Sequence, residues 1–255
     1  MDNRWCIIGG PRSGHTWCEH VVFGGIVNLP NSIQLNEFVH SGVAATSTED
    51  FKLDSNNNII KIRNETVDMR TFTKDRCQLI FRANQKQPTT MVVIPEPWVR
   101  NDIDFLDFVQ NLSTIANFKI ITMKRSMFDR AVSWYYMSIT RIAHQYRNDN
   151  GSTKFTSETG ESFETFDPPV ITANVHKFFE FLTLCIRYEM YIRCIESKVE
   201  CIQLNYDTLV DDCKKNNIPA NPNTAIKKTY SQGYKNLIKN YDELLDMYHQ
   251  VKNIL

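Results

Sequence analysis

Read for period alone, the chain alternates between two apolar patterns. Short continuous runs, Trp5–Ile8, Thr89–Ile94 and Phe118–Met123, have the form of strands buried on both faces, and Ser32–Leu35 and Glu200–Asn205 are weaker cases of the same kind. Between them, apolar residues recur three and four apart. The spacing predicts a helix over 14–27, with Trp17, Val21 and Val22 on one face and Asn28 and Pro30 as its stop. Others are expected over 70–86, over 102–116 (Ile103, Leu106, Phe108, Leu112, Ile115) and over 176–195, where Phe178, Phe179, Phe181, Leu182, Cys185 and Ile186 form a core-facing stripe. Strands alternating with helices predict an α/β fold: a doubly wound, mostly parallel central sheet with helices on both faces.

Two stretches depart from this alternation. F-K-L-D-S-N-N-N-I-I-K-I-R, residues 51–63, alternates apolar and polar positions around an Asn-rich turn and reads as a hairpin on the rim. Residues 145–169 are polar and rich in Gly, Ser, Thr, Asn and Glu. They read as a mobile loop over a site, or as plain surface disorder. From Tyr206 onward the expectation is helix, with one break at 218–222. All 255 residues are expected to form one domain.

Charge narrows the functional classes. With 29 basic and 29 acidic residues the formal net charge is zero, so no global field draws in nucleic acid or an anionic membrane, and any anion binding must be local. No apolar run approaches the ~20 residues that span a bilayer. The first strand begins close to Met1, which leaves no room for a signal peptide, so a soluble, cytoplasmic protein is expected. The seven cysteines contain no C-x-x-C pair and read as free thiols in a reducing compartment. No metal-ligand spacing is present.

Candidate chemistry concentrates at predicted strand ends. W-C-I-I-G-G-P-R-S-G-H-T-W, residues 5–17, reads as strand, tight loop and helix start, a backbone arrangement suited to phosphate or sulfate. Gly9, Gly14 and Thr16 match the nucleotide-binding spacing G-x-x-x-x-G-K-S/T, but His15 stands in place of the lysine, and the cation has moved to Arg12. Loss of that lysine argues against an ordinary ATPase or GTPase. Asn36, Glu37 and His40 follow the second strand, and Glu96 sits between Pro95 and Pro97 after the third. Arg125 ends the next strand, and Ser133 lies two turns into the following helix, so that both could reach one phosphate.

P-R-S-G-H-T-W, paired with R-S-M-F-D-R-A-V-S-W-Y at 125–135, resembles the PAPS-dependent sulfotransferase superfamily, which takes a sulfuryl group from 3′-phosphoadenosine 5′-phosphosulfate. The family motifs are P-K/R-S-G-T-T-W, on the 5′-phosphosulfate, and R-x-P-x-D-x-x-x-S-x-Y, on the 3′-phosphate. The resemblance implies that Arg12 meets the bridging oxygen, that Ser13, Gly14, His15 and Thr16 cradle the 5′ side, and that Trp17 packs on adenine. It implies that Arg125 and Ser133 hold the 3′-phosphate. Q-L-N-Y-D-T-L-V, residues 203–210, echoes the family's Y-E-D-L and would bring Tyr206 near the adenine. Lys227, Lys228 or Lys235 would supply a basic C-terminal segment over the 3′-phosphate. His15 and Met127 depart from the motifs, which puts one 5′-side hydrogen bond in question and alters a turn.

The activity so implied is sulfuryl transfer from PAPS to a hydroxyl or amine of a glycan or small metabolite, with PAP as product and no metal. The acceptor's proton needs a base. Glu37 resembles in placement the glutamate of the carbohydrate and protein-tyrosine branches, and Glu96 lies nearer to where the small-molecule branch keeps its histidine. A small-molecule kinase, and a non-catalytic nucleotide- or glycan-binding module, are the alternatives.

Overall fold

The computed structural model describes residues 4–18, 21–22, 33–39, 49–63, 78–93, 105–147, 153–157, 161–164, 167–220, 226–227 and 233–252. Its strands are β1 (Arg4–Ile8), β2 (Ile33–Val39), β3 (Glu49–Leu53), β4 (Ile59–Arg63), β5 (Thr89–Val93), β6 (Lys119–Lys124), β7 (Ile142–Arg147), β8 (Thr153–Ser157), β9 (Ser162–Phe163), β10 (Cys201–Asn205) and β11 (Ile226–Lys227). The helices are α1 (His15–Cys18), α2 (Phe105–Thr114), α3 (Met127–Thr140), α4 (Val175–Glu196), α5 (Leu209–Lys215) and α6 (Tyr241–Lys252).

Five parallel strands form the central sheet in the order β10-β6-β1-β5-β2. Every residue of β1 is buried, as expected of a middle strand covered on both faces. Successive residues alternate sides. Cys6 and Ile8 join Met91, Val93 and Ile120 in a core that includes Phe108, Val109 and Leu112 of α2 and Ile195 of α4. Trp5 and Ile7 join Val92, Ile121, Met123 and Leu204 on the opposite face, closed by Cys18, Val21, Val22 and, from α5, Leu209 and Cys213. The chain is therefore α/β, with helices on both faces of a parallel sheet.

A third apolar cluster lies beyond the C-terminal ends of the strands. It packs Phe128, Val132 and Tyr136 of α3 against Phe178, Leu182 and Cys185 of α4 and Leu244 and Tyr248 of α6. Asn174 caps α4 by accepting from the Lys177 amide. Ser126 caps α3 in the same way through Asp129, so that α3 begins directly after β6 and Arg125.

Several expectations change. β2 runs to Val39, so Asn36 and Glu37 lie within the strand and not beyond it; the register with β5 shifts between Leu35 and Val39, as an edge strand permits. Residues 142–147, 153–157 and 162–163 form an antiparallel sheet with β11. The expected loop over 145–169 is thus partly strand, because the Tyr, Phe and Thr residues of I-A-H-Q-Y-R and T-K-F-T-S favour pairing although the stretch as a whole is polar. Residues 226–227 are strand where helix was expected. The helix expected to reach 86 gives way after residue 82 to a turn closed by the Asn84 side chain. Phe179 is 41% exposed, so it leaves the expected stripe of α4, while Phe178, Leu182 and Cys185 are buried in the core and Phe181 and Ile186 pack against it partly buried. β3 and β4 pair antiparallel around the Asp54–Asn58 turn.

Arg4 is an oddity at the N-terminal end of β1. It is fully buried, donates from Nη1 to the Ala116 carbonyl at 2.7 Å and lies over the Phe118 ring at 4.7 Å. Its Nε and Nη2 have no hydrogen-bond partner among the described residues. Burial lowers its pKa to about 10, which leaves it charged near neutrality. A buried charge without a counter-ion is a net cost, and an apolar replacement of similar length removes that cost. Arg4→Met is expected to raise unfolding stability by about 1 kcal/mol or more. Urea titration of the two proteins checks this, and a lower midpoint in the variant would count against it.

Candidate functional site

The sequence order of the sheet places the loop after β1 at a topological switch. β5 and β2 extend the sheet on one side of β1, while β6 and β10 extend it on the other. Ile8, the last residue of β1, pairs with Val93 and Thr122, and the Gly9 amide still donates to the Val93 carbonyl at 3.3 Å. Beyond Gly9 the chain leaves the sheet into the crevice where open α/β sheets bind their ligands.

The loop is tight because each of its residues is held. The Ser13 amide donates to the Gly10 carbonyl at 3.1 Å, and the Cys18 amide to Gly14 at 2.9 Å, starting α1. Arg12 sits in the left-handed region at φ 59° and Gly14 at φ 92°. A Cβ on Gly14 would run into the Tyr206 ring, and one on Gly10 into the Arg130 guanidinium and Tyr188. The Ser13 hydroxyl is buried inside the turn, without a hydrogen-bond partner among the described residues.

Four described side chains of the β6–α3 unit meet this loop: Arg125, Arg130, Ser133 and Met137. Arg125 donates from Nη1 to the Arg12 carbonyl at 2.8 Å and lies over the Tyr206 ring at 4.3 Å. Arg130 donates from Nε to the Pro11 carbonyl at 3.4 Å. Ser133 accepts from Arg12 Nε at 3.1 Å and from the Tyr234 hydroxyl at 2.9 Å. Arg12 Nη1 donates further to the Ala143 carbonyl at 3.0 Å and to Met137 Sδ at 3.3 Å. Arg12 is thus the hub: Arg125 holds its backbone and Ser133 its side chain.

Aromatic surface adjoins the two guanidinium groups. Trp17 meets Tyr206 edge-to-face, ring centroids 5.1 Å apart, and the Tyr206 amide donates to the Lys124 carbonyl at 2.8 Å, which docks the end of β10 beside Arg125. Burial pushes the Tyr206 phenol up, and the positive charges of Arg125 and Arg12 pull it partly back.

Of the expected residues, Arg12, Ser13, Gly14, His15, Trp17, Arg125, Ser133 and Tyr206 come together at this loop, with His15 buried in the first turn of α1. Thr16 shares that turn. Arg12 takes the Ser133 hydroxyl for itself, where the sequence had paired Ser133 with Arg125. Glu37 lies in β2, separated from β1 by β5. Glu96 and Lys228 lie outside the described residues. The backbone of Lys227 pairs with Gln145, two residues past Ala143, so the C-terminal segment does approach the strand that receives Arg12. Lys235 is bound to Asp242 at 3.1 Å on the surface.

Arg130, Met137 and Tyr234 were missed. Arg130, Ser133 and Met137 stand at i, i+3 and i+7 of α3, one helical face turned to the loop, and that spacing was available in the sequence. Tyr234 follows Gly233 in a segment with no periodic signal.

The close approach of Gly14 to Tyr206 generates a stability test. Gly14→Ala adds both left-handed strain and a clash, an expected cost of about 1–3 kcal/mol. In a Tyr206→Ala background the clash is absent and the same substitution should cost measurably less, as a double-mutant cycle in urea will read; equal costs in the two backgrounds would refute the contact.

Searches against protein-family models and against curated proteins returned no match to this chain.

Proposed function

We propose that the chain is a PAPS-dependent sulfotransferase of the P-loop-like kind, moving a sulfuryl group to a hydroxyl or amine of an acceptor. The observation that carries this reading is the convergence of two guanidinium groups, Arg12 and Arg125, on a glycine-bounded loop at the switch point. Neither meets a carboxylate among the described residues: their partners are carbonyls, a hydroxyl, a thioether and a ring. Uncompensated, half-buried positive charge beside backbone amides is a site for a polyanion.

The donor set fits the nucleotide the motifs imply. Arg125 and Ser133 are the groups to hold a 3′-phosphate, Arg12 and the Ser13–Gly14 backbone the 5′ side, and Trp17 with Tyr206 the base. The orphaned Ser13 hydroxyl is a further donor within the loop. When bound, PAPS supplies the sulfuryl group and a nucleotide phosphate as leaving group. Arg12 and Arg125 serve as electrostatic clamps that stabilise developing negative charge. Arg12 must exchange its contacts with Ser133 and Ala143 for the ligand. The acceptor's proton goes to a carboxylate, Glu37 in the first instance and Glu96 in the second.

The donor is tested by thermal shift with 3′-phosphoadenosine 5′-phosphate, ATP and GTP. Selective stabilisation by the first is expected, since a ligand that binds only the native state raises stability by mass action. Arg125→Ala should weaken 3′-phosphoadenosine 5′-phosphate by about tenfold or more while changing adenosine 5′-phosphosulfate much less, because a lost charge-assisted contact costs roughly 1.5–3 kcal/mol. Equal weakening of both ligands, or preference for ATP, would overturn the assignment.

The base is tested separately. Glu37→Gln is expected to retain nucleotide binding and lose about 10²–10⁴ of the turnover rate. Near-normal turnover there, with collapse in Glu96→Gln, would transfer the role to Glu96.

A further inference from the structure

Behind the loop lies a half-buried network of charges that the proposed reaction does not use. Glu189 and Glu196 stand on α4. Glu196 accepts from Thr122 Oγ1 at 2.5 Å and pairs with Lys124 at 2.7 Å, both on β6. Glu189 has three cations around it: Arg130 Nη1 and Lys124 Nζ, each at 3.5 Å, and Arg193 Nε at 3.7 Å. The side chain of Arg130 is fully buried, and that of Glu189 is 13% exposed.

Arg130 connects this network to the loop. Its Nη1 faces Glu189, its Nε reaches the Pro11 carbonyl, and its Nη2 lies against Gly10, where no Cβ would fit. The next carbonyl along, that of Arg12, is held by Arg125. Two consecutive peptide planes are therefore each gripped by a guanidinium. Together they set the direction of the amides that follow, and proline at position 11 removes one of the remaining torsional freedoms. A buried arginine keeps one orientation only if its charge is met, and Glu189 is the only carboxylate among the described residues that meets it.

We propose that Glu189 is a positioning residue for the anion site, acting through Arg130 on the Pro11 carbonyl to hold the loop in its binding conformation. This rests on the reading of the loop as the ligand site. It makes a prediction opposite in sign to simple electrostatics. Removing a negative charge close to an anion site tightens binding by Coulomb's law, whereas releasing Arg130 loosens the loop and weakens it.

The test compares Glu189→Gln with Glu196→Gln in the full chain. Each removes one carboxylate charge from the same helix, but only the first touches Arg130. Calorimetric titration with 3′-phosphoadenosine 5′-phosphate is expected to show Glu189→Gln about three- to thirtyfold weaker, the usual size of an effect transmitted through such a network, and Glu196→Gln unchanged or tighter. Hydrogen exchange without ligand should accelerate across residues 9–18 in Glu189→Gln alone. Unchanged or tighter binding by Glu189→Gln, or unchanged exchange in the loop, would overturn the proposal. If the wild type does not bind the nucleotide, the sulfotransferase reading fails, and the ligand-free exchange experiment alone decides the role of Glu189. Arg130→Lys keeps the charge but not the forked donor, and serves if Glu189→Gln does not fold. It should show the same faster exchange, and wild-type exchange would refute the proposal.

Discussion

The grip of Arg130 and Arg125 on the successive carbonyls of Pro11 and Arg12 is the constraint from which the rest of the site follows. A left-handed arginine is unfavourable unless its surroundings over-determine it, and here both the peptide before it and its own carbonyl are held. With the backbone so directed, the Arg12 side chain departs toward α3 and the start of β7. Gly14 can then turn tightly enough to lie against Tyr206. Loss of either guanidinium would remove a side-chain restraint on one of these peptide planes, leaving the Pro11 ring and the Ser13 amide's bond to the Gly10 carbonyl to hold the turn.

The cations around the loop divide into two kinds. Lys124 and Arg130 are answered by Glu189 and Glu196 and serve the architecture. Arg12 and Arg125 are answered, among the described residues, only by neutral groups and so retain their positive field. A chain of zero net charge thereby keeps concentrated positive potential in one crevice. Local pairing achieves this, and composition cannot reveal it.

The architecture was legible wherever burial on both faces left a continuous apolar run, as in Trp5–Ile8 and Phe118–Met123, or where one face left a helical stripe, as in α2. It was illegible where pairing, not burial, decides. β7 and β8 satisfy each other's backbone groups in polar sequence, and β2 continues through Asn36 and Glu37 because an edge strand tolerates a bulge. In the site, residues joined by a local motif were found from spacing, whereas partners brought in by tertiary packing, Tyr234 and Glu189, carry no local mark. Arg130 falls between the two. Its spacing to Ser133 was visible, but burial of an arginine opposite a carboxylate 59 positions away was not.

The placement of β1 also bears on how the chain reaches this state. It precedes both of its neighbours in the chain and is the central strand of the finished sheet, so neither neighbour exists when it emerges: Cys6 must wait for Met91 on one side and for Ile120 on the other. Such distant partners raise contact order and slow folding, and meanwhile an apolar strand with two open edges is available for wrong pairing. Arg4 and the glycine-proline break at 9–11 bracket that strand with a charge and a turn. The same short segment that ends in the glycine-bounded loop thus carries a charge at its first position and a turn at its end, features that discourage it from extending into an aggregating ribbon before its neighbours arrive.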